Sequence, residues 1–203
     1  MNQKNEWLEV RKATPEDVED FVALFLISSP YFFRLFGEKI RTALYNMFKA
    51  ERNLFSYQHV IFAELDGKNA GMLLGYPYDV KARENLRTGL LWLKYSGFKF
   101  LSTLPLLLKF NTTVGKLGKF EYYISNLAAF EKFRGKGVGT VLIMKAEEEA
   151  RLLKAERIVL DVEQENTLAI NFYERLGFEK VAEFYIPIKG KGVLSFYRMG
   201  KKI

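Results

Sequence analysis

Arg134-Gly135-Lys136-Gly137-Val138-Gly139-Thr140 joins an apolar stretch, Tyr122 to Ala129, that reads as a strand to a long amphipathic stretch that reads as a helix. Its glycines fall at alternate positions, so the backbone is bare where a helix exposes N–H groups with no intrahelical partner. Those donors and the positive end of the helix dipole converge on one point, which suits an anion. Arg134 and Lys136 add charge there, and the ligand indicated is a phosphate or pyrophosphate. Spacing separates the phosphate loops. A Walker A loop needs Gly-Lys followed by Ser or Thr, and Lys136 is followed by Gly137. A dinucleotide fingerprint needs G-x-G-x-x-G directly after its strand. Here the run is G-x-G-x-G, and five residues, Phe130 to Arg134, separate it from the strand. What fits is R-x-x-G-x-G, formed by Arg134, Gly137 and Gly139.

Downstream comes a second strand, Ile158 to Glu163, and then Asn166-Thr167-Leu168-Ala169-Ile170-Asn171-Phe172-Tyr173-Glu174-Arg175-Leu176-Gly177-Phe178. Asn166 is a good N-cap, Gly177 a good C′ residue, and Phe178 starts another strand, so this is a capped helix with an aromatic face.

The loop resembles the acetyl-CoA pyrophosphate loop of the GNAT superfamily of N-acetyltransferases. The segment from Asn166 to Phe178 is similar to that family's N-x-x-A-x-x-F-Y-x-x-x-G-F block at every fixed position. The resemblance implies an α/β (α+β) fold with a mixed central sheet of about seven strands, splayed between the fourth and fifth. It also implies acetyl-CoA as cosubstrate. The cofactor would be held by the backbone from Gly135 through Lys136, Gly137, Val138 and Gly139 to Thr140, with Arg134 beside it. A side chain at Gly137 or Gly139 would obstruct that approach. By position, Leu127, Ala128 and Ala129 are the strand edge that pairs with the pantetheine arm, and Asn166 matches the residue that bonds it. Phe172 is expected to pack, not to react.

Tyr173 matches the family tyrosine that protonates the departing thiolate, and a phenol with a pKa of ~10 is protonated at neutral pH. An amine acceptor with a pKa of ~10 must lose a proton before attack. Asp161 lies twelve positions before Tyr173, the spacing of the catalytic glutamate in the ribosomal-protein alanine N-acetyltransferases. Asp161 is therefore the candidate base, with Glu163 and Glu121 as substitutes. Binding the substrate ammonium or pairing with a Lys are the competing roles. A backbone N–H near Ala129 is the expected oxyanion donor.

A chain of 203 residues suffices for one domain, taken as 1–203. It has no cysteine, which excludes disulfides, thiolate metal sites and an acetyl-cysteine intermediate. The single histidine, His59, argues against zinc chemistry and a Ser-His-Asp hydrolase and reads as structural; no metal is expected. A net charge of +7 attracts anions, but Lys and Arg are dispersed among Asp and Glu, so no nucleic-acid partner is expected. No uncharged apolar run approaches the roughly 20 residues of a membrane span, and Met1 to Glu9 lacks a signal-peptide core. A cytoplasmic location follows as the default.

Leu8 to Arg11 alternates like a strand, and Thr14-Pro15-Glu16-Asp17 starts a helix that stops near Ser28-Ser29-Pro30. A second helix is expected over 36–52, and a hairpin of Val60 to Leu65 with Ala70 to Tyr76 around Asp66-Gly67. About forty residues, 77–118, then depart from the compact family pattern. They read as a helical insertion between the third and fourth strands, two short helices broken near Gly97 and Pro105. The insertion suits packing over the site, an acceptor pocket, a membrane surface or a homodimer contact, and leaves room for an acyl group longer than acetyl. The last two strands are expected near 179–186 and 193–199.

The leading expectation is acetyl transfer to a small-molecule or peptide amine by direct attack in a ternary complex. The alternatives are a non-catalytic CoA-binding module that recruits a partner through the insertion, and a nucleotide-binding oxidoreductase.

Overall fold

The computed structural model describes residues 8–96, 115–188 and 192–203. Seven strands form one sheet: β1 (Leu8–Lys12), β2 (Val60–Leu65), β3 (Lys68–Pro77), β4 (Glu121–Ala129), β5 (Arg157–Glu163), β6 (Glu179–Ile188) and β7 (Gly192–Lys202), in the order β1-β2-β3-β4-β5-β7-β6. Every pair is antiparallel except β4 with β5. That single parallel pair needs a crossover, and α5 (Val138–Leu152) supplies it. The β5 strand then pairs with antiparallel β7, not with another parallel unit, which is not how a dinucleotide-binding sheet is built.

The β2–β3 hairpin turns on Asp66 and Gly67 at φ of 52° and 70°. Two successive left-handed residues make the mirror-image turn whose twist matches the strands.

One face of the sheet packs α5 and α6 (Thr167–Arg175). Val138, Leu142, Ala146 and Ala150 of α5, at helical spacing, meet Ile61, Leu73, Ile124 and Leu160 from the strands. Leu153, one residue past the helix end, is half exposed. The other face packs α1 (Val18–Ser28) and α3 (Lys39–Lys49), where Phe21 stacks on Phe48 at 4.3 Å between ring centres.

Three elements differ from the sequence expectation. Pro30 does not merely end α1; it opens α2 (Pro30–Phe36) as its first helical residue. Proline breaks a helix from inside but suits the first position, where its missing N–H has no partner to lose. Gly37 at φ 62° then ends α2, and α3 starts at Lys39 instead of continuing from Phe36. Within the insertion, α4 (Tyr78–Ser96) is one helix through its 19 described residues. Its Trp92 stacks on Phe32 and Phe36 and meets Phe55 edge-on at 5.5 Å. His59 ties the start of β2 to this helix, its Nε2 lying 2.7 Å from Glu84 Oε2. The second insertion helix, the break near Pro105, Met1 to Trp7 and the turn at 189–191 lie outside the described residues. Among the described residues no helix is long and apolar enough to cross a membrane.

Candidate active site

The strands β4 and β5 pair only from Glu121↔Arg157 to Ile124↔Leu160 and then part. The cause is in the register of β3. Leu74 faces Asn126 and Gly75 faces Ile124, which leaves Ser125 as the extra residue of a bulge. A bulge bends its strand and sharpens the local twist, here just where β4 leaves β5. Beyond the split β5 stays on β7, with Asp161 opposite Arg198. The gap is a groove of about 680 Å³ that runs past the start of α5.

Phe130 N–H donates to Ala70 O at 2.9 Å. Backbone groups alternate sides along a strand, so Ala128 also turns its N–H and C=O to β3, while Leu127 and Ala129 turn theirs into the split. All three edge residues expected from sequence line the groove, although Ala128 turns its backbone to β3 and its side chain is buried on the α1 face.

A short 3-10 turn, Glu131–Phe133, leads into the glycine loop. Gly135 and Gly137 have φ of +78° and +81°, and Gly137 is the N-cap of α5. A Cβ on either would meet nothing within 4 Å, so backbone conformation, not space, calls for glycine at both. Gly139 has the opposite reason: a Cβ there would stand 2.9 Å from Phe172 Cζ. Close packing on the ring calls for glycine there, a reason separate from any ligand's approach. Val141 N–H bonds back to Gly137 O at 3.1 Å. The N–H groups of Val138, Gly139 and Thr140 precede the first intrahelical bond and face the groove end with the dipole behind them. Arg134 lines the groove too, whereas exposed Lys136 stands outside its lining.

On the far wall, Asn166 Oδ1 accepts Ala169 N–H at 3.1 Å and caps α6, which leaves its amide nitrogen to reach a ligand. Tyr173 lines the groove with its ring edge-on to Phe172 and Phe178, at 5.3 and 5.6 Å. Burial lifts its phenol well above the ordinary range, so it is held protonated.

Asp161 also lines the groove, but its carboxylate is engaged. Arg198 Nε and Nη2 donate to its two oxygens at 2.9 and 3.0 Å. Gly115 N–H and the Tyr123 hydroxyl donate to Oδ2 at 2.6 and 3.1 Å. Four donors meet the roughly four acceptor positions of a carboxylate. Three of the four fall on Oδ2 and one on Oδ1, so the carboxylate is held in place by an ion pair, and the partner is Arg198, not the Lys expected as its competitor. Glu121, a substitute for the base, instead accepts Gly118 N–H at 2.7 Å. Glu163 does line the groove.

Sequence reasoning missed the opposite end of the groove. Asn126 Nδ2 donates to Ser28 and Ser29 Oγ at 2.8 and 2.9 Å, and Ser125 Oγ donates to Asn126 Oδ1 at 2.9 Å. Tyr31, at the start of α2, meets Phe196 edge-on at 5.9 Å. One signal was available: Ser125-Asn126 interrupts an apolar strand, and a buried polar pair needs partners.

Comparison with known proteins agrees with this geometry. The family model described as "Acetyltransferase (GNAT) family" matches residues 21–178. "Uncharacterized N-acetyltransferase YobR" of Bacillus subtilis is 36% identical over 80 residues, 38% of this chain and 32% of that protein. The "N-alpha-acetyltransferase" of Sulfurisphaera tokodaii is 35% identical over 88 residues, 42% of this chain and 45% of that protein. These matches thus span less than half of either relative. In fold, the chain resembles the N-acetyltransferase of Staphylococcus aureus Mu50, with a TM-score of 0.64 over 95% of this chain and all of that one, at 20% identity.

Proposed function

This chain belongs to the GNAT acetyltransferase family, and from that premise we propose that it moves an acetyl group from acetyl-CoA to a primary amine by direct attack in a ternary complex. The family uses acetyl-CoA and makes the chain an acyl-CoA N-acyltransferase; the route, the residues and the acceptor are the proposal. One observation carries it. The split between β4 and β5 leads from the bare N-terminus of α5 to Tyr173 through a single groove.

The fit to acetyl-CoA rests on donors already in place. First-turn amides of α5, with Arg134, suit a pyrophosphate. The free edge at Leu127 and Ala129 suits the amides of a pantetheine arm, which would add to β4 as a short strand does. Acetyl-CoA when bound supplies the activated thioester. Ala129 N–H, turned into the split, is the donor for the oxygen that gains charge as the amine attacks. Tyr173 gives its proton to the leaving sulfur, and Phe172 sets its height by resting on Gly139. With no cysteine in the chain, the amine attacks directly, its proton passing to water in the groove. The acceptor is a small-molecule or peptide amine. The relative named as an N-alpha-acetyltransferase puts peptide N-termini in the test panel.

Thermal melting with and without acetyl-CoA tests the reading. Saturating acetyl-CoA at about 100 times its Kd should raise stability by about 2.7 kcal/mol. Gly137→Val, which strains the N-cap at φ +81°, should remove most of that gain. An equal gain in the variant, or none in the native chain, would place the cofactor elsewhere.

A further inference from the structure

The insertion returns to the sheet at Gly115 and Lys116, and it is fastened there to Asp161 and Arg198. Gly115 N–H donates to Asp161 Oδ2 at 2.6 Å, and Arg198 Nη1 donates to Lys116 O at 2.5 Å. Lys81, in the first turns of α4, donates to Gly115 O, so the outgoing and returning limbs of the insertion are tied to each other as well. Arg198 holds Asp161 through both carboxylate oxygens, and the Tyr123 hydroxyl closes the set. The two side chains are only 1% and 14% exposed. Strands β4, β5 and β7 thus hold the insertion's return at the point where β4 and β5 part.

Tyr123 and Asp161 both line the groove at that end, so the fastening and the groove wall are one structure. The charges matter too. An acceptor arriving as an ammonium meets an Asp161 already compensated by Arg198, so this carboxylate does not act as a lone charge toward it. We propose that Asp161 and Arg198 are positioning residues: they hold the turn at Gly115 and Lys116 to the mouth of the split and fix Tyr123 and Asp161 as the acceptor end of the groove wall, and so set which amines reach the thioester, instead of moving the acceptor's proton. The proposal rests on the acetyltransferase reading above for the identity of the groove, and it deepens that reading by placing acceptor choice in the clamp.

The test uses the full chain with Asp161→Asn, Arg198→Ala, Arg198→Lys and Tyr123→Phe. Kinetics are measured with acetyl-CoA against a panel of spermidine, lysine methyl ester and a peptide with a free N-terminus. A clamp predicts that Asp161→Asn and Arg198→Ala both raise the acceptor KM by about tenfold or more, and change the ranking within the panel, with the acidic limb of kcat kept. Arg198→Lys should recover part of the loss. Tyr123→Phe removes only one hydroxyl bond and should give a smaller shift of the same sign, which keeps the test open if a charge variant fails to fold. A base predicts otherwise: kcat falls by about 10²-fold or more for every acceptor in Asp161→Asn, the acidic limb disappears, and Arg198→Ala leaves acceptor KM alone. That result overturns the proposal.

Hydrogen exchange at the Gly115 amide reads the clamp without turnover. It should quicken about tenfold or more in Asp161→Asn, because the bond it reports has weakened. Unchanged protection overturns the clamp even if the kinetics shift. A native chain that gains no stability from acetyl-CoA would instead sink the acetyltransferase reading, and exchange at Gly115 would still decide whether the clamp exists.

Discussion

The C-terminal flank of the cleft is shaped by backbone conformation, whereas the N-terminal flank is shaped by side chains that meet from distant parts of the chain. Gly135 and Gly137 lie in the left-handed region, Asn166 caps α6 and Gly177 ends it at φ +85°. Each of these is a local requirement that few residue types can meet. Across the groove, Asn126 bonds Ser28 from 98 positions away, and Trp92 rests on Phe32, Phe36 and Phe55. On the acetyltransferase reading proposed above, the difference follows from what each flank would face. A pyrophosphate and an amide chain can be gripped by N–H and C=O groups that every residue carries. An acceptor must be told apart from other amines, and only side chains can do that.

Trp92→Ala should have the largest effect. It empties a buried ring site and should cost about 3–5 kcal/mol, read from urea denaturation. If the flanks are built separately, acetyl-CoA should still raise the melting temperature of this variant by the native amount; loss of that response would tie the two together.

Tyr173→Phe sharpens the other side. It should lower kcat by about 10²-fold or more and leave the KM for acetyl-CoA alone. Burial raises this phenol's pKa, so the protonated, active form persists as pH rises and is lost only through the raised value. No alkaline limb from Tyr173 is expected below about pH 10, the ordinary phenol value. A limb near pH 8 that vanished in Tyr173→Phe would refute that assignment.

Gly139→Ala should cost about 1–3 kcal/mol by overpacking on Phe172, and Phe172→Leu in the same chain should restore part of it. Gly137→Ala should cost about 1–2 kcal/mol through its left-handed backbone and should gain nothing from Phe172→Leu. Equal rescue of both would erase the distinction between packing and conformation within the loop.

The smallest effect is expected at Asp17, which binds Arg11 from β1 and Asn69 from β3. Burial works against its charge, but the bonds from Arg11, Thr14 and Asn69 prevail and hold its pKa at about 2 instead of 3.8. A lowered carboxylate pKa gives stability that is complete above about pH 4 and is lost as pH falls toward 2. Urea midpoints from pH 6 to 2 should decline less steeply in Asp17→Asn than in the native chain.

The glycine loop, the capped α6 and the β2–β3 turn were legible because each is a one-residue decision with a strong physical preference. The restart of the helix at Pro30 was misread, since proline is both a poor interior residue and a good first one, and its neighbours do not say which applies. The place of Asp161 was legible, but its partner was not: Arg198 lies 37 positions away and reaches it only because β5 and β7 are neighbours.

By itself the sequence determined that a bare helix start follows a strand, that a capped aromatic helix lies one strand further on, and that the chain offers no cysteine thiol. Those are statements about local conformation and chemical inventory, which neighbouring residues settle among themselves. Only the tertiary structure decided that Ser125 bulges and opens the sheet, that Gly139 yields to Phe172, and that Asp161 is spent on an ion pair at the foot of the insertion. Each depends on which strand lies beside which, and strand pairing is a contest among distant segments that no short stretch of sequence can adjudicate.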